Sequence, residues 1–417
     1  MRQEKVFYGW WVLLACIVGL LVGPGQFAFG SLGLFILPLQ SEFNWTRTQI
    51  TFSTSVFTVS LIFCMPLVGR LVDKFGARKV LIPAMLVVGF SLGLIPVLVS
   101  ELWHLYFLFF IIGSLGAAAN SLPFMLAISA WFDRHRGLAI GLAMTGSGLG
   151  YAAVPPLVQH VNQQFGWHFG YYTLAGIILL LAVPFIWLIF KNRPEDMGLK
   201  TDGRLEVEKS GAEISTDSGF TRKQALKDRN FRLLVLIFSV LAFSLFGILL
   251  NMVPMLSDRG MSATDAAFTA SLVGMTIMCV RVPIGWLMDR IFAPYVALGC
   301  FLFSAIGFGL FASGAIGISA YVAAVLIGFS IGAEVDLLGF LAGRYFGLRN
   351  FGEIYGFLFA SMMLGVSLGP PVFAYCYDTL GNYTMILWLS CLSLLCLAVI
   401  TLRLPPYPDF NSSESKE

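Results

Sequence analysis

Charged side chains are scarce in this sequence. Asp, Glu, Lys and Arg make up 12% of its 417 residues, whereas hydrophobic residues make up 58%. Soluble globular proteins carry about 25% charged residues, so most of this surface cannot face water. Nine windows of 21 to 54 residues contain no charge at all. Because about 20 apolar residues cross a bilayer as a helix, the sequence predicts an all-α integral membrane protein surrounded by lipid.

Motifs of catalysis and metal binding are also missing. The chain has no GxxxxGK[ST] phosphate loop and no HExxH motif, and none of its seven cysteines forms CxxC. Its four histidines have no spacing typical of a metal site. We therefore expect no enzyme activity, no metal and no cofactor. The formal net charge of +3 is too small to indicate a nucleic-acid partner.

Twelve transmembrane helices fit into the charge-free windows. The only long polar connection predicts a cytoplasmic linker at 191–230, between an N-terminal six-helix bundle at 1–190 and a C-terminal one at 231–403. A cytoplasmic tail follows at 404–417. The predicted spans are 8–38, 48–70, 79–99, 103–131, 138–159, 169–190, 231–256, 266–288, 293–314, 318–343, 352–375 and 382–402.

Basic residues are distributed unevenly over the predicted loops. With both termini on one side, 23 of the 26 Lys and Arg residues lie on that side, and only Arg47 and Arg259 lie in loops on the other. Since loops rich in Lys and Arg stay in the cytoplasm, both termini are predicted to be cytoplasmic. No organelle signal is visible, so we expect a bacterial inner membrane.

A duplication runs through the chain. Gly69 and Asp73 recur as Gly285 and Asp289 at an offset of 216, and a set of glycines and prolines within 137–166 recurs at 215. The duplication predicts two parallel, pseudo-symmetric six-helix bundles with a binding site between them near the middle of the membrane. A channel is the other class to weigh, but it would need a continuous pore rather than a duplicated single chain.

The stretch GRLVDKFGARK, Gly69 to Lys79, resembles the signature of the major facilitator superfamily between its second and third helices. The segments YGWWVLL, FGSLGLFILPLQSEFNWTRTQI, WFDRHRGLAIGLAMTGSGLG and RVPIGWLMDR are similar to the monocarboxylate transporter and oxalate–formate antiporter branch. The resemblance implies a secondary active transporter that moves a small organic anion, above all a monocarboxylate, by alternating access. It also implies a protein that functions as a monomer.

The sequence departs from that branch in three places. Uncharged residues surround Gly30 and Ser31 where animal monocarboxylate carriers have a lysine, and Ile277 replaces an aspartate of their eighth helix. Met362 replaces a lysine of the oxalate exchanger. The coupling mode therefore does not carry over, and protons and a counter-anion stay open as driving partners, as do symport and antiport.

The signature segment carries five charges between two charge-free windows. Asp73 is expected at the N-terminus of the eleventh helix, where a carboxylate meets the positive end of the helix dipole. A cation of the segment then reaches Asp133. Because these contacts cross between the halves, they predict a cytoplasmic latch; the alternative is a set of charges that merely marks a loop. The latch residues are Gly69, Asp73, Lys74, Gly76, Arg78, Asp133, Gly285 and Asp289.

Three ionisable residues, Arg281, Glu334 and Asp336, lie well inside predicted spans. Each costs about 2.5–3.5 kcal/mol at the bilayer centre, so each needs a partner, a cavity or neutralisation. Guanidinium stays charged and matches a carboxylate in two parallel hydrogen bonds. The resemblance implies that Arg281 binds the carboxylate of the substrate. The alternative is a permanent salt bridge with Glu334 or Asp336, which would fit an exporter or uptake carrier of neutral or drug-like solutes.

Glu334 and Asp336 are the candidates for proton coupling. They lie about 200° apart around a helix, so only one can face the cavity. Asp336 shares a stripe with four glycines, which indicates close helix packing there and favours Glu334 for the cavity. The glycines of this stripe are Gly328, Gly332, Gly339 and Gly343.

Five further residues are candidates for lining the substrate cavity. Amides inside a span can contact a ligand or bridge two helices, and aromatic residues can line a pocket or pack a core. These substrate-binding candidates are Gln26, Phe27, Phe29, Asn120 and Asn251.

Overall fold

The computed structural model describes residues 7–132, 136–199, 220–347 and 351–408. Asp133 and the side chains of Asp73 and Asp289, all named in the predicted latch, lie outside the described residues. Within the described ranges the chain consists of helices joined by short connections and contains no strand, as the charge-free windows predict.

Twelve membrane helices, α1 to α12, follow one another in alternating directions. Ten are apolar and long enough to cross a membrane by length and composition alone. The other two are the interrupted α1 and the 30-residue α5. Their bounds are α1 Gly9–Leu21, Gln26–Ser31 and Gly33–Phe43; α2 Arg47–Phe75; α3 Ala77–Leu98; α4 Leu102–Ser114, Leu115–Ala119 and Ser121–Trp131; α5 Arg136–Phe165; α6 Trp167–Gly176, Ile177–Ala182 and Val183–Ile189; α7 Arg229–Asp258; α8 Ala263–Arg290; α9 Ala293–Ala312; α10 Ile318–Phe346; α11 Phe351–Leu380; α12 Thr384–Thr401.

The first helix is broken and is longer than predicted. Its sequence GPG at 23–25 ends the first segment, because proline lacks a backbone donor and glycine weakens a helix. A π-helical stretch, Gln26–Ser31, follows, a feature often found at functional sites. The predicted end at residue 38 is wrong, because Pro38 lies inside the helix. The helix ends instead at Asn44, whose positive φ of 57° is typical of a helix terminus.

Each half is tied at one end by the segment that follows its sixth helix. In the first half, the indole of Trp131 donates to the carbonyl of Lys191 at 3.0 Å. In the second half, the hydroxyl of Tyr345 donates to the carbonyl of Pro405 at 2.7 Å. Both pairs are related by the same offset of 214 residues. The duplication therefore extends to tertiary contacts.

The same two segments cap the third helix of each half. The side-chain oxygen of Asn192 accepts from the backbone N–H of Arg78 at 2.8 Å, at the start of α3. The Tyr407 hydroxyl accepts from the backbone N–H of Ala293 at 3.0 Å, at the start of α9. Helix starts leave N–H groups unpaired, so each cap satisfies one of them. We call this side of the bundle, with 190–199 and 403–408, the linker end, and the opposite side the Arg47 end.

The two halves pack against each other along α2 with α11 and along α5 with α8. Near mid-bundle a Cβ on Gly148 of α5 would lie 2.9 Å from Met278 of α8, so the two helices nearly touch. Towards the linker end, Gly141 of α5 and Gly285 of α8 face open space: no described atom lies within 4 Å of where their Cβ would be. Gly69 of α2 and Gly356 of α11 do the same. Among the described residues, the halves therefore pack closely at the middle of the bundle, whereas four glycines towards the linker end face open space.

Candidate functional site

A half-buried arginine on α8 has no counter-ion within 4.0 Å among the described residues. Arg281 projects from α8 and is partly buried, and its Nε has no hydrogen-bond partner. Among the described residues the only ion pair within 4.0 Å is Arg47–Asp258, which is elsewhere in the fold. A permanent salt bridge between Arg281 and Glu334 or Asp336, the alternative raised by the sequence, is therefore not formed in this structure.

Two carboxylates surround Arg281 at longer range. Glu334 and Asp336 of α10 both interact with the Arg281 charge, although neither is close enough for an ion pair. Glu334 is 2% exposed, and its Oε2 has no hydrogen-bond partner. Asp336 is half-buried. The structure thus brings all three ionisable residues of the spans to one place, but leaves their charges separated.

Close packing of α8 on α10 places these residues together. A Cβ on Gly328 would lie 2.7 Å from Thr276, and one on Gly332 would lie 3.2 Å from the Ile277 Cα. Such contact requires residues without a side chain. Two of the four glycines in the stripe beside Asp336, Gly328 and Gly332, therefore pack closely against α8, and Ile277 is one of their contacts.

The first half contributes Tyr151, a residue that the sequence analysis missed. Its hydroxyl lies 3.4 Å from the carbonyl of Gly25 in the broken part of α1. It also interacts electrostatically with Glu334 and Arg281. Its ring fills the space beside Gly30, where a Cβ would come within 2.8 Å.

Tyr355 of α11 lies on the other side of the cluster. It interacts electrostatically with Asp336 and stacks on Phe359 at 5.9 Å between ring centroids. Its ring also lies 3.7 Å from where a Cβ on Gly339 would be. The central cluster, defined as Tyr151, Arg281, Glu334, Asp336 and Tyr355, therefore takes residues from both halves of the chain. It offers one cation, two carboxylates and two phenols for recognition.

Two predicted amides lie in the first half, at breaks in their helices. Asn120 is half-buried and precedes the last segment of α4, and its Nδ2 donates to the Ala117 carbonyl at 3.3 Å. Gln26 is half-buried and begins the π-helical stretch of α1, with its Cγ next to Gly150 of α5. Both amides retain hydrogen-bonding capacity, and a substrate contact stays a prediction for each.

The predicted aromatic residues are packed. Phe27 is 5% exposed and lines a small apolar pocket inside the first half. Phe29 is also buried and meets Phe246 of α7 at 5.1 Å between centroids, edge to face. The contact with Phe246 joins the two halves, so Phe29 lies between them rather than inside one half.

Asn251 of α7 is fully buried, and its amide is committed to its neighbours. Its Nδ2 donates to the carbonyls of Gly247 at 2.9 Å and Pro370 at 3.1 Å. Its Oδ1 accepts from the hydroxyl of Tyr383 at 3.3 Å. These bonds tie α7 to α11 and α12, and they leave no free donor aimed at the central cluster.

The described part of the predicted latch makes contacts within its own half. The guanidinium of Arg78 donates to the Trp187 carbonyl at the end of α6. The ammonium of Lys74 lies 5.2 Å from the ring centroid of Phe75. Gly76 forms the turn between α2 and α3, where its φ of 83° favours glycine, as the sequence predicts. The latch contacts of Asp73, Asp289 and Asp133 stay a prediction.

Comparison with known proteins tests the family resemblance that the sequence motifs indicate. The family model of the Major Facilitator Superfamily matches residues 15–346. Monocarboxylate transporter 12 of Xenopus laevis is 25% identical, covering 98% of this chain and 93% of its own. Human monocarboxylate transporter 11 is 27% identical, with coverages of 95% and 83%. The branch resemblance is thereby confirmed.

Solved structures agree on the fold. The crystal structure of a D-xylose–proton symporter superposes with a TM-score of 0.73 at 15% identity, covering 96% of this chain and 98% of the symporter. Identity this low shows the shared fold alone. Taken with the duplicated helices and the family match, these findings show that the chain belongs to the Major Facilitator Superfamily and is a membrane transporter, not an enzyme.

Proposed function

We propose that this transporter carries a small organic anion with a single carboxylate, and that Arg281 binds that carboxylate. The observation that carries the proposal is the Arg281 guanidinium, which forms no ion pair with the described residues and whose Nε has no hydrogen-bond partner among them. A charge at the bilayer centre costs about 2.5–3.5 kcal/mol even on insertion scales. A carboxylate ligand held by two parallel hydrogen bonds would offset this cost each time the substrate binds.

The charges of the central cluster favour a monoanion over a dianion. With both carboxylates ionised, Glu334 and Asp336 outweigh the single cation, and the described spans place no second Lys or Arg in the cluster. A bound dicarboxylate would therefore leave a large excess of negative charge in a poorly solvated space. The similar proteins described above are monocarboxylate transporters, which supports the same substrate class.

The same charge balance makes a proton the preferred coupling partner. Glu334 is buried, and one of its oxygens has no hydrogen-bond donor, so its ionised form is poorly stabilised. We propose that a proton on Glu334 accompanies the anion, so that the net charge of the cluster is the same with both bound as in the empty carrier. Exchange against a counter-anion is the alternative mode and would not require this proton.

The proposed cycle is alternating access, with both termini in the cytoplasm of a bacterial cell. The open space beside four glycines towards the linker end supports a state open to the cytoplasm under this orientation. Rocking of the halves about the central cluster would then present Arg281 to the opposite side. The monomer contains the whole cluster, so no second copy is needed.

Uptake into proteoliposomes tests the proposal. We expect saturable, counterflow-stimulated uptake of a radiolabelled short monocarboxylate, and a thermal-shift screen of organic acids should show stabilisation by the same class. Both effects should disappear in Arg281→Ala, provided that the variant elutes as a monodisperse peak. Full transport by Arg281→Ala would contradict the proposal and favour the neutral-solute alternative.

A further inference from the structure

A second arginine, Arg47, joins the halves at the opposite end of the cavity. Its guanidinium binds Asp258 of α7 through two bonds, Nη1–Oδ2 at 2.6 Å and Nη2–Oδ1 at 2.8 Å. Nη1 also donates to the hydroxyl of Tyr383 at 3.1 Å, and the guanidinium carbon lies 3.7 Å from the ring centroid of Tyr377. The Nε of Arg47 donates to Gln40 Oε1 of its own half at 3.3 Å, and the residue is 2% exposed, so this side chain is enclosed between the two halves.

The start of α2 carries a second bond across the same interface. Asp378 at the end of α11 accepts from the backbone N–H of Thr48 at 2.8 Å and from its hydroxyl. The backbone N–H of Arg47 reaches the same carboxylate at 3.3 Å. A carboxylate at a helix N-terminus pairs free N–H groups and meets the positive end of the helix dipole. Two acidic residues of the second half thus hold the first turn of one helix of the first half.

Comparison of the two halves shows that Arg47 breaks the internal symmetry. In the first half, Glu42 at the end of α1 accepts a hydrogen bond from the Trp167 indole. The positions related by 216 residues in the second half are Asp258 and Tyr383. There the acid and the aromatic residue are bridged by Arg47 from the other half instead. A contact that is internal in one half has therefore become a bond between the halves.

We propose that Arg47, Asp258, Tyr377, Asp378 and Tyr383 form a clasp that must open for the Arg47 end to open. The inference rests on the proposed alternating-access cycle. The five residues belong to α2, α7, α11 and the start of α12, so separation of the halves at this end breaks every one of these contacts. The Arg47–Asp258 ion pair is bidentate, with a buried guanidinium and a carboxylate that is 29% exposed, and it exists only while both partners stay in place. The clasp therefore holds the state that is packed at the Arg47 end.

Distances between spin labels at the Arg47 end test the clasp without a transport assay. Ser100 lies in the connection between α3 and α4, and Ser319 lies in the first turn of α10. Both are exposed, and they belong to opposite halves. Both are replaced by labelled cysteine in a background without the seven native cysteines. In Arg47→Gln and Asp258→Asn, we expect a larger fraction of molecules in which the two spin labels are far apart. This fraction should rise by about tenfold or more relative to the parent. The double variant should exceed either single variant only slightly, because both remove the same bond.

Arg259 supplies the matched control. It follows Asp258 directly and is half-buried, but its guanidinium donates only to the Ala315 carbonyl of its own half, at 3.4 Å. Arg259→Gln should leave the distance distribution unchanged. If Arg47→Gln does not fold, Arg47→Lys keeps the charge without the planar fork and should give a smaller rise of the same sign. An unchanged distribution in a folded Arg47 variant, or an equal rise in Arg259→Gln, would overturn the clasp. Neither result would affect the substrate proposal, because substrate binding and uptake are measured in the parent protein.

Discussion

Replacement of Arg281 by glutamine tests which of two roles this residue has: binding the substrate, or stabilising the fold through a salt bridge. If Arg281 holds the carboxylate, the variant loses a paired, charge-assisted contact and keeps at most one neutral donor. If Arg281 were part of a structural salt bridge, the variant would instead lose folding stability. The structure predicts the first result, because no carboxylate of the described residues lies within 4.0 Å of Arg281.

The magnitude follows from the bonds that are lost. Hydrogen bonds to charged groups contribute about 1.5–3 kcal/mol each, and at least one of two is removed outright while the other becomes neutral. A loss of about 3 kcal/mol raises the Kd by roughly 150-fold. Arg281→Lys keeps the charge but not the fork, so its Kd should rise by roughly tenfold. Because an unpaired charge is removed, the Tm of Arg281→Gln should not fall below that of the parent.

Calorimetric titration of the detergent-purified protein measures these values, with thermal unfolding of each variant alongside. The control is Arg290→Gln, on the same helix, whose guanidinium lies exposed over the Trp286 ring at 4.2 Å from its centroid. Its Kd should stay within about twofold of the parent, as expected for an exposed position. A Tm that drops by several degrees in Arg281→Gln while the Kd is unchanged would refute the reasoning.

Three further changes test the account. Glu334→Gln should remove the dependence of uptake on external pH while binding persists, and retained proton-driven accumulation in proteoliposomes would contradict a role for Glu334 in coupling. Gly274→Ala places a methyl group about 2.7 Å from the Tyr151 Cβ between α8 and α5; such overpacking costs about 1–3 kcal/mol, so the Tm should fall. Gly285→Ala, at an open position of the same helix, should leave the Tm unchanged or raise it, and equal effects would exclude the close approach. Tyr407→Phe removes the acceptor at the start of α9 and should cost about 1 kcal/mol of stability, and an unaltered Tm would show that the tail is not an anchor.

The sequence predicts the membrane helices and their duplication because both depend on local patterns. Charge-free windows place spans whatever their neighbours are, and the offsets of 215 and 216 residues relate the halves without knowledge of contacts. Helix ends were less predictable. The first span was expected to end at Pro38, but proline is tolerated within membrane helices when neighbouring groups compensate, and α1 continues to Phe43.

The site was only partly predictable, because its contacts join distant residues. Arg281, Glu334 and Asp336 were recognisable as charges inside spans, and the helical angle separates the last two. Which one is more buried depends on the packing of α8 and α11 around α10, which the sequence of α10 does not contain. Tyr151 was missed because a tyrosine in an apolar helix gives no local signal.

Arg47 shows the same limit most clearly. The sequence predicts only that Arg47 is one of two basic residues in the outer loops and gives no sign of its partners. Its acid partner is 211 residues away and its phenol partner 336 residues away. Only the packing of the two halves brings these groups together and buries the guanidinium. Asn251 is the converse case, since a polar residue in a span proved to be fully paired by its neighbours.

The most direct test of the account compares short monocarboxylates with their uncharged amides in titrations of the native protein. Each pair has nearly the same shape, so the difference in affinity reports the charge that Arg281 recognises. We predict saturable binding of at least one acid, with its amide weaker by about a hundredfold or more. Equal affinities for acid and amide across the series, or binding of neutral solutes alone, would contradict the assignment of Arg281 as the anion site.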